Sequence, residues 1–153
     1  MSSSDPSAGT TPYIGLLFRR AQQAHVAGWA SIVSGDTTSV QFGVLNAVAE
    51  REQASQRELC TDLDLDRSTI ADIVARLERR GLLRRTRDTA DRRRNVVELT
   101  GSGLDELAAL RPRVDRLSAA LVERLSRVET RTLTDLLTKA LSDTGPADPP
   151  GRQ

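Results

Sequence analysis

The stretch from Asp66 to Thr100 constrains this chain more than any other part of it. A helix-forming block, Asp66–Gly81, runs directly into Leu82-Leu83-Arg84-Arg85-Thr86-Arg87, then a polar loop, then Asn95-Val96-Val97-Glu98-Leu99-Thr100. Gly81 stands where a helix ends most easily in a left-handed residue. Two short alternating segments around a loop containing Asp88, Thr89, Ala90 and Asp91 read as a hairpin. Between Arg76 and Arg94, nine arginines face three acids (Glu78, Asp88, Asp91), a local +6 over nineteen residues in a chain of formal net charge +1. So much positive charge in one segment of a nearly balanced chain marks a directed electrostatic surface, whose natural counterpart is a polyphosphate.

The rest of the composition narrows the class. At 153 residues the chain fits one compact domain or a small module with an oligomerisation extension. Apolar residues make up 38% and aromatic residues 3%, so the core is expected to be aliphatic and thin for a self-sufficient monomer. No apolar run approaches the roughly 20 residues of a membrane span, and the N-terminus lacks a basic-then-apolar leader, so a cytoplasmic protein without a membrane partner is expected. The single cysteine, Cys60, excludes an internal disulfide and fits a reducing compartment. Arginine outnumbers lysine 21 to 1, a bias that genome composition largely explains. The clustering therefore carries the argument, and the total does not.

Capping and periodicity divide the chain into helices. Residues 1–11 and 142–153 read as disordered tails around a single domain over 12–141. A first helix is expected from Pro12 or Tyr13 to about Val33, with Ile14, Leu17, Phe18, Ala21, Ala24 and Ala27 at helical spacing, ended by Ser34-Gly35-Asp36. Thr38-Ser39-Val40-Gln41 is a capping-box pattern opening a second helix to about Glu52, with Phe42, Leu45, Val48 and Ala49 inward. Ser55-Gln56-Arg57-Glu58 repeats it for a short third helix. Asp66 caps a fourth, with Ile70, Ile73, Val74 and Leu77 buried and Arg67, Ser68, Thr69, Asp72, Arg76 and Arg79 facing away. A long fifth helix after Thr100 carries Leu104, Leu107, Leu110, Val114, Leu117, Leu121 and Leu125 as a coiled-coil-like seam, which Pro112 is expected to kink or divide. A sixth covers about Glu129–Leu141. The flanking helices have more apolar face than the central core can cover, so a dimer is inferred.

Two short helices joined by the turn Asp62–Leu65 and followed by a hairpin make a winged helix-turn-helix, over about 38–100. In that arrangement the second helix enters the major groove. Arg67, Ser68, Thr69, Asp72 and Arg76 supply the donors and acceptors for base edges. Arg79 and Arg80 suit phosphate or the helix dipole. Arg92-Arg93-Arg94 at the hairpin tip suit a narrow minor groove, with Asp91 bracing the loop through an ion pair. A solvated charged face is the bland alternative, and the helix–glycine–strand–loop–strand order around the arginines weighs against it.

These residues resemble the MarR family, the multiple antibiotic resistance regulators. Asp66-Arg67-Ser68-Thr69-Ile70, Val74 and Leu77-Glu78-Arg79-Arg80-Gly81-Leu82-Leu83 are similar to its recognition-helix region. Asp88, Asp91-Arg92-Arg93, Val97-Glu98-Leu99-Thr100 and Gly103 are similar to its wing signature. The likeness extends over about residues 12–141. It implies a mainly α winged-helix homodimer, paired through helices at about 12–33 and 101–141, on palindromic double-stranded operators. Such proteins are usually repressors released by small phenolic or aromatic acids. It further implies that Arg93 is the minor-groove arginine and Asp91 its brace.

Family effectors commonly sit between the dimer helices and the winged domain. Here Arg19, Arg20, His25 and Trp29 on the first helix, with Gln41 and Phe42 on the second, suit an aromatic acid: rings to stack, and cations to hold a carboxylate. The opening Leu16-Leu17-Phe18-Arg19-Arg20-Ala21 resembles regulators of aromatic catabolism, which points to a benzoate-like effector. Core packing stands beside this reading, because a lone Trp or His at helical spacing is more often structural. Cys60, away from the start of the first helix, reads as a small hydrophobe rather than an oxidant sensor. One His and one Cys do not make a metal site, and no cofactor is expected. No phosphate loop, nucleophile elbow or His/Cys cluster supports an enzyme. An effector-independent architectural protein, an activator and a protein-binding winged helix remain as alternatives.

Overall fold

The computed structural model describes residues 13–142. The expected tails therefore lie outside the described residues, except for Ser142, which closes the last helix. Six α-helices and a small sheet follow in order: α1 (Ile14–Gly28), α2 (Ser39–Arg51), β1 (Gln53–Ala54), α3 (Gln56–Leu63), α4 (Arg67–Arg79), β2 (Leu83–Arg87), β3 (Asn95–Leu99), α5 (Gly101–Leu121) and α6 (Arg127–Leu141). Beyond α1 the chain makes one wide π turn, Trp29–Val33, where the Ser31 hydroxyl donates to the carbonyls of Ala27 and Gly28 and so loosens the regular ladder.

The expected caps form. Thr38 and Gln41 exchange hydrogen bonds at the start of α2, as do Ser55 and Glu58 at the start of α3. Asp66 accepts from the Thr69 amide at the start of α4. Three details differ from expectation. The turn between α3 and α4 is shorter, because Asp62 and Leu63 stay helical and Asp64 alone takes the left-handed conformation, φ 51°. The sheet has three antiparallel strands in the order β1-β3-β2, where two were expected. Pro112 does not divide α5, which runs unbroken to Leu121, and Leu125 lies beyond it in the turn before α6.

Two apolar clusters organise the packing. The larger joins Val44, Leu45 and Val48 of α2 to Leu59, Ile70, Val74 and Leu77, the strand residues Leu83 and Val97, and Leu107 of α5. The smaller joins Trp29 and Val33 to Leu110 and Leu117. The fifth-helix seam thus splits: Leu107, Leu110, Val114 and Leu117 pack within the chain, whereas Leu104 and Leu121 face outward. Helices α1 and α6 bury no residue at all within this chain.

The hairpin hands over to α5 at one tight seam. Gly81 takes φ 71°, the left-handed value its position requires. Thr100 donates its hydroxyl to the Gly81 carbonyl (2.6 Å) and its amide to the Leu82 carbonyl (3.1 Å), while its oxygen caps Gly103 (3.0 Å). At Gly103 a Cβ would fall 2.1 Å from the Leu82 carbonyl oxygen, so only glycine fits. Gly101, two residues earlier, has nothing within 4 Å of such a Cβ. Gly103→Ala is expected to destabilise the fold by about 1–3 kcal/mol through forced overpacking. Gly101→Ala should cost nothing comparable. Urea unfolding of the two variants checks the contrast.

Candidate nucleic-acid interface

Helix α4 presents its polar side because its apolar stripe is fully used. Ile70, Val74 and Leu77 are buried, Ile73 is half-buried, and Arg67, Ser68, Asp72, Arg76 and Arg79 are exposed. The first turn is organised by Asp66, which accepts the Ser68 hydroxyl (2.6 Å), the Thr69 hydroxyl (2.6 Å) and the Thr69 amide (2.8 Å). Those bonds, the Ser68 hydroxyl foremost, hold the Asp66 carboxyl well below the usual carboxylate range. The Ser68 and Thr69 hydroxyls have spent their protons on Asp66 and offer lone pairs outward. One turn on, Arg76 pairs with Asp72 at 2.9 Å, so each sets the other's direction.

The wing is tied down from below. Arg94 reaches Glu58 of α3 and Asp88 of the wing, each at 3.4 Å. Asp88 is buried and also accepts from the Ala90 amide (2.8 Å). Gln53 of β1 donates to Thr89 (3.0 Å). Glu58 is held below the ordinary carboxylate range, chiefly by the Ser55 amide and hydroxyl, with Arg94 adding to the effect. Asp91 accepts from the Arg93 amide at 3.0 Å, so it braces the tip through the backbone rather than through the expected ion pair.

This geometry sorts the nine clustered arginines. Arg76, Arg80, Arg84, Arg85 and Arg94 are bound to Asp72, Glu106, Glu98, Glu78 and the Glu58–Asp88 pair. Arg79, Arg87, Arg92 and Arg93 have no acidic partner among the described residues, nor does Arg67 at the start of α4. Two expectations change. Arg94 serves as the wing's anchor and not as a tip residue. Arg80 is engaged by the Thr37 hydroxyl (3.0 Å) and by Glu106 (3.6 Å). Sequence reasoning passed over Arg87, Gln53 and Glu58. Nothing local ties the last two to the wing, because their partners there lie 36 residues further along the chain.

The expected effector residues separate into a row and outliers. His25, Trp29 and Phe42 lie side by side, with ring centroids 5.9 and 5.8 Å apart and tilted planes. Trp29 is 8% exposed, and its Nε1 donates to the Thr37 carbonyl at 2.7 Å. It is a core residue and the central ring of the row. The Gln41 side chain is engaged in the α2 cap, and Arg19 and Arg20 lie exposed on α1. Cys60 is half-buried against the larger cluster.

Because the folded Asp66 carboxyl stays charged to lower pH than the free side chain, its stabilising effect is complete above the ordinary aspartate value of 3.8 and fades as pH falls below it. Asp66→Ala should therefore lower the melting temperature at pH 7, and the gap from the wild type should narrow as pH drops towards 3. Thermal unfolding followed by circular dichroism across that range checks the sign.

Known proteins match this arrangement. A profile described as MarR family matches residues 36–94. The HTH-type transcriptional repressor NicR of Pseudomonas putida is 35% identical over 137 residues, covering 86% of this chain and 87% of that protein. The transcriptional regulator PcaV of Streptomyces coelicolor, crystallised with its natural ligand, superposes with a TM-score of 0.79 at 38% identity, covering 94% of this chain and 99% of the other. A mutant of Escherichia coli MarR complexed with operator DNA superposes with a TM-score of 0.77 at 27% identity, covering 90% and 99%. Sequence identity at this coverage, joined to the winged-helix architecture, places the chain in the MarR family of transcriptional regulators.

Proposed function

We propose that this chain is a homodimeric, cytoplasmic repressor that binds a palindromic double-stranded operator and leaves it when a small aromatic acid binds. One observation carries the DNA-binding part: five clustered arginines are consumed by internal acids, and those left unpaired lie on α4 and the wing, the two elements that enter grooves. The operator-bound relative supports the same reading, and NicR, named a repressor, supports the sign of regulation. In this reading Arg67, Ser68, Thr69, Asp72 and Arg76 face base edges, Arg79 holds phosphate, and Arg92 and Arg93 enter the minor groove. No described helix is long and apolar enough to cross a membrane.

Dimerisation is supported by apolar residues with nothing to cover them in the monomer. Ile14, Leu16, Leu17 and Phe18 on α1, and Leu133, Leu136 and Leu137 on α6, are exposed. An obligate pair would remove both faces from water, roughly 1.5–3 kcal/mol for each large side chain fully buried. The effector reading is supported by the His25–Trp29–Phe42 row, with Arg19, Arg20 and Gln41 on the same two helices, and by the ligand-bound PcaV relative.

The test starts from genomic fragments retained by the purified protein, sequenced and then titrated against salt. A regulator should prefer one palindrome strongly, with steep salt dependence; an architectural protein should show little preference. Arg93→Ala is expected to weaken the preferred duplex roughly tenfold or more, and to flatten the log–log salt slope by about two, one contact from each of two wings. Asp72→Ala frees Arg76 and should change which bases are preferred more than it changes non-specific affinity, as competition with mutated duplexes would show. His25→Ala should blunt release by benzoate-like acids while leaving duplex affinity intact. Unchanged release would remove His25 from the pocket.

A further inference from the structure

Thr37 is 1% exposed, one of two buried polar side chains among the described residues, and every polar atom it has is engaged. Its amide donates to Ser34 Oγ at 3.0 Å, and its carbonyl accepts from Trp29 Nε1 at 2.7 Å. Its hydroxyl donates to Glu106 Oε1 at 2.6 Å and accepts from Arg80 Nη2 at 3.0 Å. Arg80 also lies 3.6 Å from Glu106 and donates to Gln41 at 3.5 Å. This one residue therefore ties together the π turn after α1, the long helix α5, the cap of α2 and Arg80, the residue that closes the groove-reading helix. A hydroxyl that donates to a carboxylate and accepts from a guanidinium fixes the direction of both.

We propose that Thr37 and Glu106 are positioning residues that couple the His25–Trp29–Phe42 row to the groove-reading helix α4 through Arg80. The proposal rests on the DNA-binding and effector readings above. A ring entering the row displaces the Trp29 indole, the indole carries the Thr37 carbonyl, and the Thr37 hydroxyl resets Arg80 and with it the C-terminal end of α4. Coupling free energy is reciprocal, so the same contacts transmit in the opposite direction: a duplex gripping α4 alters the surroundings of Trp29. Neither Thr37 nor Glu106 touches the duplex in this scheme.

Trp29 is the chain's single tryptophan and so reports on itself. The experiment titrates the full chain with the genomic duplex it enriches most, following a fluorophore on the DNA by anisotropy and Trp29 by its emission. The wild type is expected to bind with a shift of Trp29 emission. Thr37→Val, which keeps the shape but loses the hydroxyl, should bind and lose the shift. Thr37→Ser, which restores the hydroxyl, should recover it. Glu106→Leu reads the same junction from the other side and decides the matter if Thr37→Val does not fold. A merely structural role would lower the unfolding midpoint of these variants and leave the emission response to DNA in place. Binding without any shift in the wild type, or a shift that survives both Thr37→Val and Glu106→Leu, overturns the coupling. If no duplex raises the anisotropy, the DNA-binding reading itself falls, and the coupling with it.

Discussion

The seam around Thr100 fixes how the functional parts of this molecule stand to one another. Three elements meet there: the C-terminal end of α4, the root of the hairpin and the first turn of α5. One threonine hydroxyl serves two of them at once, bonding Gly81 and capping Gly103. The close approach demands glycine at 103 for space and glycine at 81 for backbone conformation. Helix α4, the wing and α5 are thereby locked at their shared corner. Groove reading needs such a corner, because a helix and a hairpin can enter adjacent grooves only if their mutual angle is settled before DNA arrives.

Charge is arranged on that frame by subtraction. The near-neutral total does not mean a neutral surface, since the acids are placed to occupy particular arginines. Most of these pairs are half exposed: Arg76 and Asp72 are 58% and 59% accessible, Arg84 65%. Exposed pairs of this kind stabilise a fold by about 0–1 kcal/mol at most. Their effect is directional. Glu78 holds Arg85 against the hairpin, and Glu58 with Asp88 plants Arg94 beneath the wing, which leaves Arg92 and Arg93 to project.

Much of this could be read from the residues alone, for identifiable reasons. Capping boxes are local codes of four residues, so the starts of α2 and α3 were legible to the residue. Gly81 and the alternation after it announced the hairpin. Strand β1 was not legible, because two residues acquire strand character only from β3, more than forty positions later. The roles of Arg80 and Arg94 were hidden for the same reason: an arginine's side of a helix can be read locally, but the carboxylate that claims it cannot. Periodicity also overstated the fifth-helix seam. It reports that a face is apolar, yet says nothing of whether neighbours in the same chain or a second copy cover it. Leu110 and Leu117 meet Trp29, whereas Leu104 and Leu121 stay exposed. Trp29 showed the same ambiguity, its spacing fitting core and pocket alike.

The two apolar clusters are joined in a way that bears on how binding at one end is felt at the other. Helix α5 contributes Leu107 to the larger cluster and Leu110 and Leu117 to the smaller, and Phe42 packs against both. Apolar contact of this sort resists compression but has no preferred direction, so it carries a displacement without choosing between states. The polar junction around Thr37 lies beside it and has the opposite character: few atoms, fixed directions and discrete alternatives. A stiff apolar hinge beside a directional polar latch is what a two-position element requires. The order of the chain follows from this. Under the proposed function, the aromatic row and this polar junction lie between the helices assigned to a partner copy and the helix assigned to DNA.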